Sequence, residues 1–260
     1  MAKTGGSKGG AMSVLAVVRE VRTGAGERRP IAIGGARELV PILARGLRAG
    51  GDASAVREGG PFDAAAALVW LGKPDVDALR RASLARVPIV GVSEGESLPY
   101  VLDTDLVVVR PGEAMPLAGV ARAIAVRLAD RGTSLAARLP ALRGAVVDEL
   151  IRTSARRNAL LAAGIPAPGA EMPVLTLNQL RLVLRIALAY GREIDPSRAP
   201  ELAAVFGAGY AFRAVARELL ALVPAGGRAA KGAVAYAGTC AVGESARRYF
   251  EHGGSVRPRT

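Results

Sequence analysis

The residues best placed to do chemistry in this chain are two glycines, Gly34 and Gly35, in the run IAIGGARELVP at 31–41. Glycines placed directly after an apolar strand let backbone N–H groups cradle a phosphate, with a Lys and a Ser/Thr close by to hold charge and magnesium. Neither G-x-x-x-x-G-K-[ST] nor G-x-G-x-x-G is present here. The pair is followed at once by Ala36, Arg37 and Glu38, and the Glu38 carboxylate would repel an arriving phosphate. The pair is therefore read as a tight strand-to-helix turn. The acidic pairs Glu94/Glu96 and Asp103/Asp105 fall at expected strand ends, where α/β sheets place acid–base or metal chemistry. No His, Lys or third ligand type stands beside them, and they read as loop carboxylates. His252 lies in a glycine-rich tail, and Cys240 sits within an expected helix as a packing residue. One Cys and one His exclude an intrachain disulfide and a Cys/His metal cluster within one subunit. No catalytic residue, metal or cofactor is expected, and the chain is read as a non-enzyme.

The run LGKPD at 71–75 has the spacing of the guanine-reading N-K-x-D motif, but Gly72 stands where the Asn would be. Asp75 is better read as the N-cap of a helix starting at Val76, with Asp77 favouring the same helix terminus. Trp70, at the end of an apolar strand, is read as core.

The elements that must position these residues follow from the apolar pattern. Short apolar runs without polar alternation, at Ile31–Ile33, Ala65–Leu71, Pro88–Val92 and Leu106–Val109, predict strands, with a weaker one at Ala53–Val56. Helical spacing recurs around Ala36–Arg48, Asp75–Ala85 and Pro116–Ala129. Strands alternating with helices predict a small doubly wound, mostly parallel α/β domain over 31–130, covered on both faces. Residues 1–10 read as a flexible basic arm, and Val14, Val17, Val18 and Val21 as a short amphipathic helix before the Gly/Arg-rich break at 24–30, so 1–30 is an arm that carries a short helix. A connecting helix over 139–163, with Leu142, Val146, Leu150 and Leu160 on one side, leads to a Pro/Gly linker, so 131–170 is a connector. An all-α hairpin or bundle domain is expected over 171–252, with helices near 174–190, 200–222 and 228–250. Residues 253–260 read as a tail.

Half of the 260 residues are hydrophobic, which argues against global disorder. The net charge of +12 is uneven. Residues 1–30 hold 6 basic and 2 acidic groups, residues 31–130 hold 11 and 12, and residues 131–260 hold 18 and 9. A neutral middle between basic flanks suits an anionic surface such as phospholipid headgroups. The amino terminus MAKTGGSKGG lacks an apolar core, so a secretory signal is not expected. The longest uncharged stretches in the helical part, Leu202–Phe212 and Gly232–Gly243, fall short of the ~20 residues a span needs. Gly207, Gly209, Gly232, Gly238 and Gly243 predict close helix seams. Arg181, Arg185, Arg213, Arg217, Arg247 and Arg248 predict an interaction surface of the interfacial kind. No aromatic platform interleaves with the basic residues, so nucleic acid is not an expected partner.

The segments LTLNQLRLVLRIALAYGREID at 175–195 and FGAGYAFRAVARELLALVPAGGRAAKGAVAYAGTCAVGESARRYF at 206–250 resemble the YcjF-like group of helical domains, domain of unknown function 697. Gln179, the Tyr190–Gly191 helix end, the turn at 223–227, Thr239 with Gly243, and Tyr249–Phe250 carry the resemblance. It implies a helical domain often fused to, or encoded beside, GTPase-like domains and described as membrane-associated. By that association the first domain looks like a degenerate GTPase-like fold, with Ser93–Glu94–Gly95 at the base-recognition position but without its Asn, Lys and Asp. Two readings result. One is a cytoplasmic, non-catalytic interaction protein at the inner face of the membrane, peripheral or integral. Its partners would be another protein, a second copy, an anionic surface or a GTPase encoded nearby. The other is a nucleotide- or metabolite-responsive regulator with an atypical pocket near Gly34, Gly35, Gly72, Ser93 and Gly112.

Overall fold

The computed structural model describes residues 16–23, 27–110, 112–165, 172–192 and 227–253. Five parallel strands form one sheet: β1 Ile31–Gly35, β2 Val56–Glu58, β3 Ala67–Leu71, β4 Ile89–Ser93 and β5 Leu106–Val108, in the order β2-β1-β3-β4-β5. The register sets Gly34 opposite Trp70 and Gly35 opposite Leu71, and sets Val92 opposite Val107. β1, β3 and β4 have no polar alternation because both of their faces are buried. The weak strand expected at Ala53–Val56 is displaced. Asp52 accepts a hydrogen bond from Ser54 N and caps a 3-10 turn over Ala53–Ala55, so β2 begins only at Val56.

Helix α1 (Val40–Arg48) and helix α3 (Leu117–Leu128) lie on one face of the sheet and touch each other. Helix α2 (Val76–Leu84) covers the other face, over a core of Ala32, Leu68, Trp70, Leu79 and Ile89. Asp75 caps α2 as expected, its carboxylate accepting from Ala78 N at 3.0 Å. Helical coverage of this second face stops there. The β2–β3 connection, residues 59–66, is too short for a helix, since a crossover that carries one takes a dozen residues or more. Its Phe62 packs onto the cluster in place of a helix. Residues 94–102 after β4 are likewise irregular, and Gly91 makes room for them. A Cβ there would lie 2.7 Å from Leu98 and 3.0 Å from Leu106.

Among the described residues, contacts divide the chain into Ala25–Glu149 and a helical unit that joins 16–23 to the residues after 150. A short helix absent from the sequence reading, α4 (Gly132–Arg138), closes the first unit. There Arg138 binds Asp52 at 2.9 Å, and hydrogen bonds from Ser54 and Arg138 hold the Asp52 carboxyl down to about 2.

Helix α5 (Pro140–Gly164) contributes Leu142, Val146 and Leu150 to the buried side, as expected. Leu160, expected on the same side, is 75 % exposed instead. In its second half α5 buries Ala155, Asn158 and Ala162, a stripe rotated away from Leu160. Helices α6 (Met172–Ala189) and α7 (Gly227–Glu251) complete the helical unit, with Val17, Val18 and Val21 buried in it. The helix expected there over 200–222 lies outside the described residues, as do the arm over 1–10, Val14, and residues 254–260 of the tail.

Candidate functional site

In this strand order the topological switch falls between β1 and β3, whose following helices leave to opposite faces, and an α/β sheet binds ligands in the crevice between those two turns. Three sequence-predicted residues, Gly34, Gly35 and Gly72, meet there. The crevice is closed by the protein itself. Ala36 N donates to Leu71 O at 2.8 Å, so the first amide beyond β1 is bonded across to β3. Leu39 N and Val40 N both turn back to Ala36 O, and α1 starts without a side-chain cap. Gly72 N donates to Val92 O, and a Cβ at Gly72 would touch the Ala36 methyl at 3.6 Å. A phosphate cradle needs free amides converging on an empty notch; the amides of Ala36 and Gly72 are bonded into the sheet and those of Leu39 and Val40 within the turn.

The two glycines serve packing. Gly35 sits at φ +104, where a Cβ would lie 2.0 Å from Leu71 O. A Cβ at Gly34 would lie 2.7 Å from the Trp70 ring and 2.9 Å from Phe62. Phe62 and Trp70 meet edge to face, ring centroids 5.6 Å apart, and the indole N–H donates to Lys73 O at 2.8 Å, pinning the β3–α2 turn. Trp70 is core, as read. Nothing in the spacing of the sequence marks Phe62. Its only signal there is the pairing of a large aromatic, in a loop too short for a helix, with a glycine in the strand beneath.

Ser93 ends β4, and its hydroxyl is engaged locally, donating to Glu96 O at 2.7 Å and accepting from Gly95 N at 3.3 Å. Gly112 stands exposed in an open turn at φ +81. The acidic pairs separate. Glu94 and Glu96 follow β4 at the carboxyl edge of the sheet, whereas Asp103 and Asp105 precede β5 at the opposite edge. Asp105 is buried and paired with Arg127, a structural ion pair. No group of three or more His, Cys, Asp or Glu able to hold a metal occurs among the described residues. An open cleft of about 390 Å³ lies beside Gly60, Pro61, Phe62, Asp63 and Arg81, off the switch point.

In the helical unit α5 and α7 run antiparallel at close range. Gly232 approaches Ala159 O, where a Cβ would stand at 3.2 Å, and Gly243 approaches Ile151, where it would stand at 2.5 Å. Gly238 faces open space; Gly207 and Gly209 lie outside the described residues. The buried line of α7 runs Gly232, Thr239, Gly243, Ala246 and Phe250. Thr239 Oγ1 is its polar node. It donates to Ala235 O at 2.7 Å and accepts from Asn158 Nδ2 at 3.0 Å and Gln179 Nε2 at 3.4 Å. Tyr190 stacks on Phe250 and donates to Glu251 at 2.8 Å. Gln179 thus meets Thr239, and Tyr190 meets Phe250, at two points where α6 packs on α7.

The arginines do not form one free face. Arg181 binds Glu20 at 3.0 Å and donates to Asn178 at 2.9 Å, and Arg247 reaches Glu244 at 3.7 Å. Arg185 is half-buried and Arg248 exposed, while Arg213 and Arg217 lie outside the described residues. Three exposed cations outside that set lie at the end where the carboxyl terminus of α5 meets the amino terminus of α7. Arg156, Arg157 and Arg228 are exposed there, with Leu160 on the surface beside them. The described stretches 150–165, 172–178 and 227–243 contain no acidic residue. Among the described residues one helix, Met172–Ala189, is long and apolar enough to cross a membrane, with mean hydropathy 1.3. Its Leu182, Val183, Leu184 and Ile186 are buried within the unit, as in the core helix of a folded bundle. Burial raises the Cys240 thiol above its ordinary pKa, opposite to what a nucleophile needs. Comparison of the chain with protein-family models, with curated proteins and with solved structures found no match.

Proposed function

We propose that this protein is a non-catalytic interaction protein whose α/β unit is a ligand-free platform and whose helical unit docks on an anionic membrane surface. The reading rests on one observation, the closed switch crevice. The Ala36–Leu71 hydrogen bond and the Phe62–Trp70 pair stand where a nucleotide's phosphates would need space and donors. The docking half draws support from the acid-free end of the helical unit, where Arg156 and Arg157 lie one helical turn before the exposed Leu160 and Arg228 opens α7. Cations around a surface leucine are what an interfacial helix presents to anionic headgroups, each cation adding about 1 kcal/mol near the surface at moderate salt. The YcjF-like resemblance of residues 175–250 agrees with a membrane-associated role and suggests a GTPase as the protein partner.

Vesicle flotation tests the docking. The protein is expected to float with phosphatidylserine-containing vesicles at low salt, to stay behind with neutral ones, and to lose flotation on Arg156→Glu/Arg157→Glu. Binding indifferent to lipid charge sinks the docking half. The platform half is checked by thermal shift against a nucleotide panel with magnesium. A ligand at 100 times its Kd adds about 2.7 kcal/mol, a visible rise in Tm, and no nucleotide is expected to produce one. A clear rise with any of them would instead favour a regulator with a pocket at the strand ends.

A further inference from the structure

The two edges of the sheet are finished differently. On the β2 edge the strand is charged, and Arg48 from α1 covers it, donating to Val56 O at 2.9 Å while pairing with Glu58 at 2.6 Å. Among the described residues the β5 edge has no such guard. Its sequence Leu106-Val107-Val108-Val109 is apolar throughout. Val109 N donates to Ser93 O, so by alternation Val107 faces β4 and the N–H and C=O of Val108 point outward. The Val108 side chain is 56 % exposed, and Leu102, just before the strand, is 59 % exposed. An apolar edge of this kind is a template for pairing, and chains that leave one bare aggregate or use it.

The charges flanking β5 select the partner. Asp103 lies just before the strand and Arg110 just after it, both exposed, with Arg110 reaching its own Glu113 at 3.6 Å across an exposed i,i+3 pair that leaves its other donors to solvent. A strand acidic at one end and basic at the other complements itself when it is turned around. We propose that β5 is a self-association edge, where two copies of this chain pair β5 to β5 antiparallel about a two-fold axis and join their sheets into ten strands. With Val107 on the axis, Val108 N–H donates to Leu106 C=O of the second copy. Leu106 N–H stays bonded to its own Asp103 O. In this register the Asp103 end of each strand lies beside the Arg110 end of the other, and Val108 and Leu106 are covered. An isologous contact of this sort is self-limiting, which removes the aggregation hazard. The inference is independent of whether the α/β unit binds a ligand or the helical unit a membrane.

Sedimentation equilibrium of the full chain tests it. The wild type is expected to be a dimer. Asp103→Arg and Arg110→Asp alone should each weaken the dimer by about tenfold, since each change counts twice across the axis, and the double variant should restore it. Val108→Pro removes an N–H that the β4 ladder does not use, a substitution edge strands accept, and should give a monomer. Should Val108→Pro lose the Trp70 fluorescence of the folded unit, the charge series decides by itself. A monomeric wild type overturns the proposal. So does a dimer that all of these variants leave unchanged, or single reversals whose combination fails to restore association.

Discussion

Gly35→Ala is expected to cost the α/β unit at least about 3 kcal/mol, which raises its unfolded fraction by about a hundredfold and takes a large share of a stability that usually lies at ~5–15 kcal/mol. Two effects add at this position. The backbone sits at φ +104, which L side chains rarely adopt, and the new methyl would lie 2.0 Å from Leu71 O and 2.7 Å from Leu71 N. Those are atoms of the neighbouring strand's backbone, so relief requires parting β1 from β3 and breaking the Ala36–Leu71 hydrogen bond. Gly95→Ala separates the two effects. Its φ is +116 but nothing lies within 4 Å, so only the conformational part, about 1–3 kcal/mol, applies. Urea titrations followed by fluorescence read the difference cleanly, because Trp70 is the only tryptophan and lies within this unit's core. Equal midpoints for the two variants would mean that the β1–β3 crossing is looser than the structure has it, and a closed switch crevice would lose its basis.

Thr239→Val should destabilise the helical unit by about 2–4 kcal/mol, while Thr239→Ser costs about 1 kcal/mol. Valine keeps the shape of threonine and removes the oxygen on which two buried amides converge, at 3.0 Å from Asn158 and 3.4 Å from Gln179. Both donors would then be buried without that acceptor, and losing a partner costs more than losing a hydrogen bond between exposed groups. Serine keeps the oxygen and loses only a methyl. Hydrogen exchange of the α7 amides measures the effect where it arises, with accelerated exchange along Gly232–Phe250 expected for valine. Protection in the valine variant equal to that in wild type would show that the node contributes nothing.

Much of the fold is legible in the chain because its strands and helices are specified locally. Ile31–Ile33, Ala65–Leu71, Pro88–Val92 and Leu106–Val109 lie within a residue or two of the observed strands, apolar run by apolar run. Asp75 caps α2 for a reason contained in four residues. The lack of phosphate and base motifs can be read in the same way, since such motifs are short and contiguous. What the chain order hides is pairing over distance. Asp103 and Asp105 look like Glu94 and Glu96 on paper, yet β5 begins after one pair and β4 ends before the other, so the sheet sends them to opposite edges. Leu160 fits the stripe of α5 until the helix changes which side it buries. Arg181 looks free until Glu20, from the other end of the chain, is folded against it.

The sequence alone determined the alternation of elements, the α/β unit followed by helices, and the absence of a contiguous anion-binding loop, because each depends on residues within a few positions of one another. Only the tertiary structure decided that Phe62 and Trp70 fill the space above Gly34, that Thr239 gathers Asn158 and Gln179, and that Arg48 guards β2 while no described residue does the same for β5. Those outcomes depend on which distant surfaces meet, and burial and hydrogen-bond satisfaction settle that over the whole chain at once.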